Sequence, residues 1–303
     1  MITEKVGGRV TSGAPIARYT SFRVGGPAAL MVEPDGTKEL AVLAEVLAGT
    51  TVDRLVLGRG SNMLVSDRGF PGVVVRLGKG FEWIRSVGDA IQAGGGTPLP
   101  QVTNRAVRLG LTGLEFGVAI PATVGGAVRM NAGAHGRSVA DVLASATICD
   151  FTTGLTSRVV PADLKMEYRH TAVGPGQVVS EAEFHLSPAP RESIALKMEE
   201  YREHRSATQP VDAPNAGSMF RNPPGSTAGA LIEQAGLKGR RVGRAEVSMK
   251  HGNFFLARPG ATAQDIFDLM AEVQRVVEEG HGVLLVPEVR IVGHFERRES
   301  LRA

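Results

Sequence analysis

An α+β protein in two parts is the fold class that the sequence predicts, and three observations carry it. Over the first 110 residues, apolar positions alternate between the two-residue period of strands and the 3.6-residue period of helices. From Gly117 to Gly136 neither period persists. Ser187-Pro-Ala-Pro190 then reads as a joint, after which a polar helix and a second set of apolar segments follow. At 303 residues the chain can fill two or three lobes.

Ala28 to Glu33 predicts a strand, and Thr37 caps a helix that aligns Leu40, Leu43, Ala44 and Leu47 until Gly49 stops it. The short run Arg54 to Leu57 enters Gly58-Arg-Gly-Ser-Asn62, which Met63 to Val65 leaves, and Val73 to Leu77 predicts a further strand. A second helix opens at Thr97-Pro98 and buries Leu99, Val102, Ala106 and Leu109 before Gly110. Strands are expected around Ala144 to Phe151 and Val178 to Leu186. After the joint come a helix from about Glu192 to Arg205 and another past Ser226 carrying Leu231 and Ile232. A third, started by the Thr262/Asp265 capping pair, presents Ile266, Met270, Val273 and Val277 before Gly280. Val283 to Val286 reads as the last apolar strand. The expected division is 1–190, itself split near 78, and 191–303, with about 287–295 packing back on the first part.

Composition excludes several classes. With 43% hydrophobic and 21% charged residues the chain is globular. Its 34 basic and 31 acidic side chains are interspersed and net only +3, so no nucleic-acid footprint is expected. The single Cys149 excludes an internal disulfide and a multi-cysteine metal site, and its strand-like setting marks it as buried filler. No metal site is expected. No apolar run is long enough to span a bilayer, and no signal region precedes the first strand, so a cytoplasmic protein without membrane insertion is expected.

The 38 glycines have no collagen period and mark tight turns and close approaches. In Gly58-Arg-Gly-Ser-Asn62, two glycines open the backbone to an anion and Ser61 and Asn62 add donors, which suits a pyrophosphate as well as an ordinary turn between strands. Met63 stands where a dinucleotide fingerprint needs its third glycine, and no helix follows. Gly78-Lys79-Gly80 lacks the Ser/Thr and the spacing of a P-loop. The long stretch Gly117-Val-Ala-Ile-Pro-Ala-Thr-Val-Gly-Gly-Ala-Val-Arg-Met-Asn-Ala-Gly-Ala-His-Gly136 is more specific, because irregular segments of that length inside a domain are usually functional.

Coupled, these two stretches resemble the two-lobed flavin-binding domain of the vanillyl-alcohol-oxidase superfamily. From Tyr19-Thr-Ser-Phe-Arg-Val-Gly-Gly26 to Pro287-Glu-Val-Arg-Ile-Val-Gly293 the motif order is similar to that of the UDP-N-acetylenolpyruvoylglucosamine reductase family. Tyr168-Arg169, Asn215-Ala-Gly-Ser-Met-Phe-Arg-Asn-Pro223 and Pro287-Glu288-Val-Arg290 carry the family-specific part. The resemblance implies a smaller α+β substrate-binding domain after the flavin domain. It implies FAD as cofactor, NADPH as co-substrate and UDP-N-acetylglucosamine enolpyruvate as substrate. FAD contacts are expected from Gly58, Arg59, Gly60, Ser61, Asn62, Pro121, Ala122, Gly125, Gly126, Asn131, Gly133 and Ala134. Arg169, Ser218 and Glu288 are the implied catalytic residues; Gln209, Asn222 and His251 are implied substrate contacts. A monomer is expected.

The chemistry needs such types. Hydride addition to the enolpyruvyl double bond leaves an enolate beside a carboxylate, which a guanidinium grips in bidentate fashion. A serine hydroxyl can protonate the carbon next to the carboxylate if a relay stands behind it. Read singly, Arg169, Ser218 and Glu288 are a surface charge, a turn hydroxyl and a cap; His251 is equally a structural histidine. Lys238, Arg240, Arg241, Arg244 and Lys250 make a basic stretch that could attract a diphosphate or simply be solvated. Thr171 stands where the family often has serine, Gln209 where it often has a basic residue, and no room exists between Arg169 and Val178 for the tyrosine-bearing loop of one subgroup. A flavin oxidase of a small alcohol and a non-catalytic flavin-binding module are the alternatives.

Overall fold

The computed structural model describes residue 6 and residues 8–210, 213–296 and 301–302. The chain forms two compact units. Residues 30–59 and 72–205, with the segment up to Ser12, make the first; residues 13–29 and 60–71, with the segment from Ser206 onward, make the second.

Among the described residues, two large apolar cores organise the first unit, beside a small cluster of Val118, Ile194 and Met198. Val32, Leu40, Leu43, Val73 and Val75 pack with Phe81, Cys149 and Phe151, which bears out Cys149 as buried filler. Burial also raises the Cys149 thiol pKa. Arg54–Val56 runs parallel to Val73–Val75 in a four-stranded sheet ordered Arg9–Pro15, Pro27–Glu33, Phe70–Val75, Arg54–Val56. The Thr37–Leu47 helix buries Leu40, Leu43, Ala44 and Leu47 as expected, but its N-cap is Gly36 and Thr37 is the first helical residue. No side chain caps this helix; the Glu39 carboxylate instead reaches back to accept from Asp35 N–H at 2.7 Å, which fixes the chain ahead of the first turn.

The other core sits on a five-stranded antiparallel sheet, in the order Thr156–Val159, Leu143–Asp150, Gln177–His185, Ala90–Gly94, Ile84–Val87. The strands expected near 144–151 and 178–186 are its centre. Against it packs the Leu99–Leu109 helix through Leu99, Val102 and Ala106, closed by Gly110 at φ 71°. Pro98 is the N-cap rather than the first helical residue, because its extended backbone bridges Thr123. The stretch from Gly117 to Gly136 is less irregular than its sequence: Val124–Arg129 is a six-residue helix capped by Thr123 Oγ1, which accepts from Gly126 N–H at 3.1 Å. One and a half turns are too short to register as a helical period.

In the second unit the Ala263–His281 helix buries Ile266, Met270, Val273 and Val277, and its Thr262/Asp265 capping box is formed. It runs through Gly280 and stops at Gly282, which adopts φ 67°. The helix past Ser226 is Ala228–Gln234, capped by Thr227. Val283 to Val286 is not a strand. Leu285 is buried in the core, and its carbonyl accepts from Gln274 Nε2 at 2.7 Å. The strand comes later, at Arg290–Val292, parallel to Met63–Val65. Among the described residues no helix is long and apolar enough to cross a membrane.

Candidate active site

A cleft in the first unit, about 720 Å³ of open and enclosed space, is floored by Gly58, Gly95, Gly96, Gly125 and Gly126. Two of these glycines serve close packing. A Cβ on Gly95 would lie 2.0 Å from the Val179 carbonyl oxygen, and one on Gly125 would lie 2.7 Å from the same atom. They let the Val124–Arg129 helix settle on the sheet, with Gly125 N–H donating to Gly95 O at 2.9 Å. At Gly126 a Cβ would meet only Thr123 Oγ1, at 3.3 Å, and would otherwise occupy the cleft. Arg59, Arg76 and Arg129 supply positive charge at the walls; Arg76 pairs with Glu33 at 2.6 Å, and Arg129 Nη1 donates to the Gly174 carbonyl. A glycine floor that admits a flat ring, bordered by guanidinium groups, fits a dinucleotide diphosphate such as FAD.

Of the residues expected to hold FAD, Gly58, Arg59, Gly125 and Gly126 line this cleft. Pro121 and Ala122 lead into Thr123, which also lines it, and Ala122 O accepts from Leu99 N–H at 2.9 Å. Asn131, buried at φ 40°, spends its side chain on the protein: Nδ2 donates to Glu167 O and Oδ1 accepts from Ala140 N–H, both at 2.9 Å. Gly133 and Ala134 pair with Ser138 and Arg137. Gly60, Ser61 and Asn62 belong to the second unit. There Gly60, at φ 57°, lies so close to the Tyr19 carbonyl that a Cβ would come within 2.3 Å. Its glycine is therefore required by packing. Sequence reasoning missed Gly95, Gly96, Arg76, Arg129 and Thr123; the Gly94-Gly95-Gly96 run was a legible signal for the first two.

The second unit brings Ser218 and Glu288 onto adjoining segments. Glu288 N–H donates to Met219 O at 2.8 Å, and Phe220 bridges Pro287. Asn62 Nδ2 donates to the Glu288 carbonyl at 3.3 Å. On its other side Ser218 bridges Phe254. Gly217, at φ 75°, turns the chain into this segment while its N–H donates to Asn215 Oδ1 at 3.0 Å. Asn222 Oδ1 accepts from Ala228 N–H at 3.1 Å, at the start of the Ala228–Gln234 helix. His251 Nδ1 accepts from Asn253 N–H at 3.1 Å, and its ring packs on Phe254 with centroids 4.8 Å apart. Burial, then the nearby Lys238, lowers the His251 pKa, and with Nδ1 accepting, the proton of the neutral ring sits on Nε2. Gln209 precedes Pro210, whose carbonyl accepts from Asn215 Nδ2 at 2.8 Å.

Arg169 lies in the first unit at φ 55°. The Thr171 hydroxyl donates to Arg129 O at 2.7 Å, so the threonine at this position keeps a hydroxyl contact. The basic stretch is largely paired: Lys238 with Glu233 at 2.6 Å, Arg240 with Glu272 at 2.5 Å and Arg241 with Glu246 at 2.8 Å. Lys250 Nζ donates to the Ser206 carbonyl. These partners favour a paired and solvated face over a diphosphate cradle.

Residues 28–159 match the family described as FAD binding domain, and residues 209–292 match that described as UDP-N-acetylenolpyruvoylglucosamine reductase, C-terminal domain. UDP-N-acetylenolpyruvoylglucosamine reductase 2 of Symbiobacterium thermophilum is 45% identical over 288 residues, covering 95% of this chain and 93% of its own. The reductase of Bacillus subtilis is 38% identical over 295 residues, covering 96% and 97%. The crystal structure of the reductase from Thermus caldophilus superposes with a TM-score of 0.82 at 36% identity, over 94% of this chain and 99% of that one. The expected fold class, an FAD-binding domain followed by a smaller α+β domain, is borne out. With its FAD-type cleft, its Ser218 and Glu288 segments and this near full-length identity, the chain belongs to the UDP-N-acetylenolpyruvoylglucosamine reductase family.

Proposed function

We propose that this protein is an FAD-dependent, NADPH-using reductase that converts UDP-N-acetylglucosamine enolpyruvate to UDP-N-acetylmuramate for peptidoglycan precursor synthesis. It acts as a cytoplasmic monomer without nucleic acid. The observation that carries the reading is the glycine-floored, arginine-bordered cleft in a chain that keeps Arg169, Ser218 and Glu288.

Bound FAD would supply hydride transfer from NADPH to the terminal carbon of the enolpyruvyl double bond. The electron pair of that double bond then rests on the carbon bearing the carboxylate. Arg169 holds the carboxylate and spreads this charge. Ser218 delivers the proton to the same carbon, which completes the saturated lactyl ether. Glu288 holds the enolic form or returns a proton to the serine. Gly58, Arg59, Gly125 and Gly126 hold the cofactor with Gly60, Ser61, Asn62, Pro121, Ala122, Asn131, Gly133 and Ala134. Gln209, Asn222 and His251 hold the substrate.

Purified protein should be yellow, and its oxidation of NADPH beyond one equivalent per flavin should depend on UDP-N-acetylglucosamine enolpyruvate. Ser218→Ala should let NADPH bleach the flavin at the normal rate yet barely turn over the enolpyruvyl substrate. Colourless protein that cannot take up FAD would sink the proposal; equal turnover in Ser218→Ala would remove the serine from it.

A further inference from the structure

The Ser218 segment is clamped from one side by a single buried amide. Asn253 is 2% exposed. Its Oδ1 accepts from Phe220 N–H at 2.9 Å and its Nδ2 donates to Phe220 O at 2.8 Å, so one side chain satisfies both main-chain groups of that residue. The Asn253 carbonyl in turn accepts from Met219 N–H at 2.9 Å. Glutamine would overshoot by a methylene, aspartate has no donor for the carbonyl, and alanine leaves two buried main-chain groups unpaired.

The opposite side of the same segment carries Glu288, through its N–H bond to Met219 O, and Arg221 N–H donates to Val286 O at 2.8 Å. Ser218 to Arg221 is therefore a short rail between the 251–254 turn and the 286–289 segment. The turn is pinned independently: His251 Nδ1 accepts from Asn253 N–H, and Phe254 N–H donates to His251 O at 3.0 Å. With no long ladder on either side, the amide at 253 is a buried side-chain restraint on this rail, acting beside the main-chain bonds of Met219 and Arg221.

We infer that Asn253 is a positioning residue for the proton donor, fixing the Ser218 segment through its paired hydrogen bonds to Phe220. The inference rests on the reading of Ser218 as that donor. A weak hydroxyl acid transfers a proton only over a short, aligned path, so a displacement of the rail slows protonation while leaving flavin reduction untouched.

The test compares Asn253→Asp, Asn253→Ala and Ser218→Ala holoenzymes in the two half-reactions by anaerobic stopped flow. Flavin reduction by NADPH should stay within twofold of wild type in all three. Flavin reoxidation by UDP-N-acetylglucosamine enolpyruvate should slow at least tenfold in both Asn253 variants. KM should change less than threefold, and the solvent deuterium isotope effect on reoxidation should rise as protonation becomes limiting. Asn253→Asp keeps the acceptor for Phe220 N–H and is the variant to use if alanine prevents folding. Reoxidation within twofold of wild type, or both half-reactions falling in parallel, would overturn the inference. Full turnover by Ser218→Ala would instead bring down the reading beneath it.

Discussion

Arg169 Nη2 donates to the carbonyl oxygen of Gly133 at 2.8 Å. The guanidinium also lies over the Tyr168 ring, 4.9 Å from its centroid. The glycine-rich stretch that reaches the FAD cleft at Gly125 thus also seats the arginine assigned to the substrate carboxylate.

That seating makes Arg169→Lys informative. A lysine keeps the charge but loses the planar fork that can bond Gly133 and a carboxylate together. Turnover should fall about 100-fold, or ~3 kcal/mol in transition-state stabilisation. NADPH-driven flavin bleaching should change by less than a few-fold. Steady-state assays beside single-turnover bleaching measure both.

Gly60 and Gly13 separate backbone strain from steric exclusion. Both have φ near +60°, but a Cβ on Gly13 meets nothing within 4 Å, whereas on Gly60 it strikes the Tyr19 carbonyl. Gly13→Ala should cost about 1 kcal/mol from left-handed strain alone. Gly60→Ala should cost roughly 1–3 kcal/mol more, because main chain must move. Urea titrations of the two variants give the difference.

Thr123 ties the cleft floor to its wall. Its Oγ1 caps the Val124–Arg129 helix and would be 2.9 Å from a Cβ on Gly58. Thr123→Ala should lower stability by about 1 kcal/mol through the lost cap. The FAD dissociation constant should rise several-fold in Thr123→Ala, and Thr123→Ser should restore both properties. Fluorescence titration of apoprotein with FAD, beside thermal melts, tests it.

Stability should fall on acidification through His251. Burial, and then Lys238, lowers its pKa below the ordinary 6.5, against the opposing pull of Glu233. The unfolded chain therefore binds the proton first. As pH drops from 6.5 toward the depressed native value, the unfolded state gains at the folded state's expense, and below that value this group adds no further loss. Protonation in the folded state would also place a hydrogen on Nδ1, where Asn253 N–H now donates. His251→Gln should flatten the slope of unfolding free energy against pH in that window. The remaining slope should include His135, whose pKa burial also lowers.

Legibility followed the range of the interactions. The Ala263–His281 helix was readable from its capping pair and its apolar face, both set within a few residues. The helix runs two residues past the end that its sequence predicts, because Gly280 stays helical and the left-handed conformation is adopted by Gly282. Val283 to Val286 looked like a strand by apolarity, yet Leu285 is a core anchor bonded to Gln274. The six-residue helix behind Thr123 was too short to show a period. Ser218 and Glu288 are legible through motifs, whereas the role of Asn253 depends on the residue it clamps, 33 positions away.

The α+β class, most of the helices and central strands, the glycine stretches and the family motifs are legible in the chain alone. Caps, periods and turn residues act over a few positions, so they are written locally. Long-range packing sets Gly95 against Gly125, gives Met63–Val65 its parallel partner Arg290–Val292, and makes Asn253 hold Phe220. Each joins residues distant in the chain. Their main-chain and amide groups are alike at every position, so partner choice emerges only when packing brings two segments together and buried polar groups must pair.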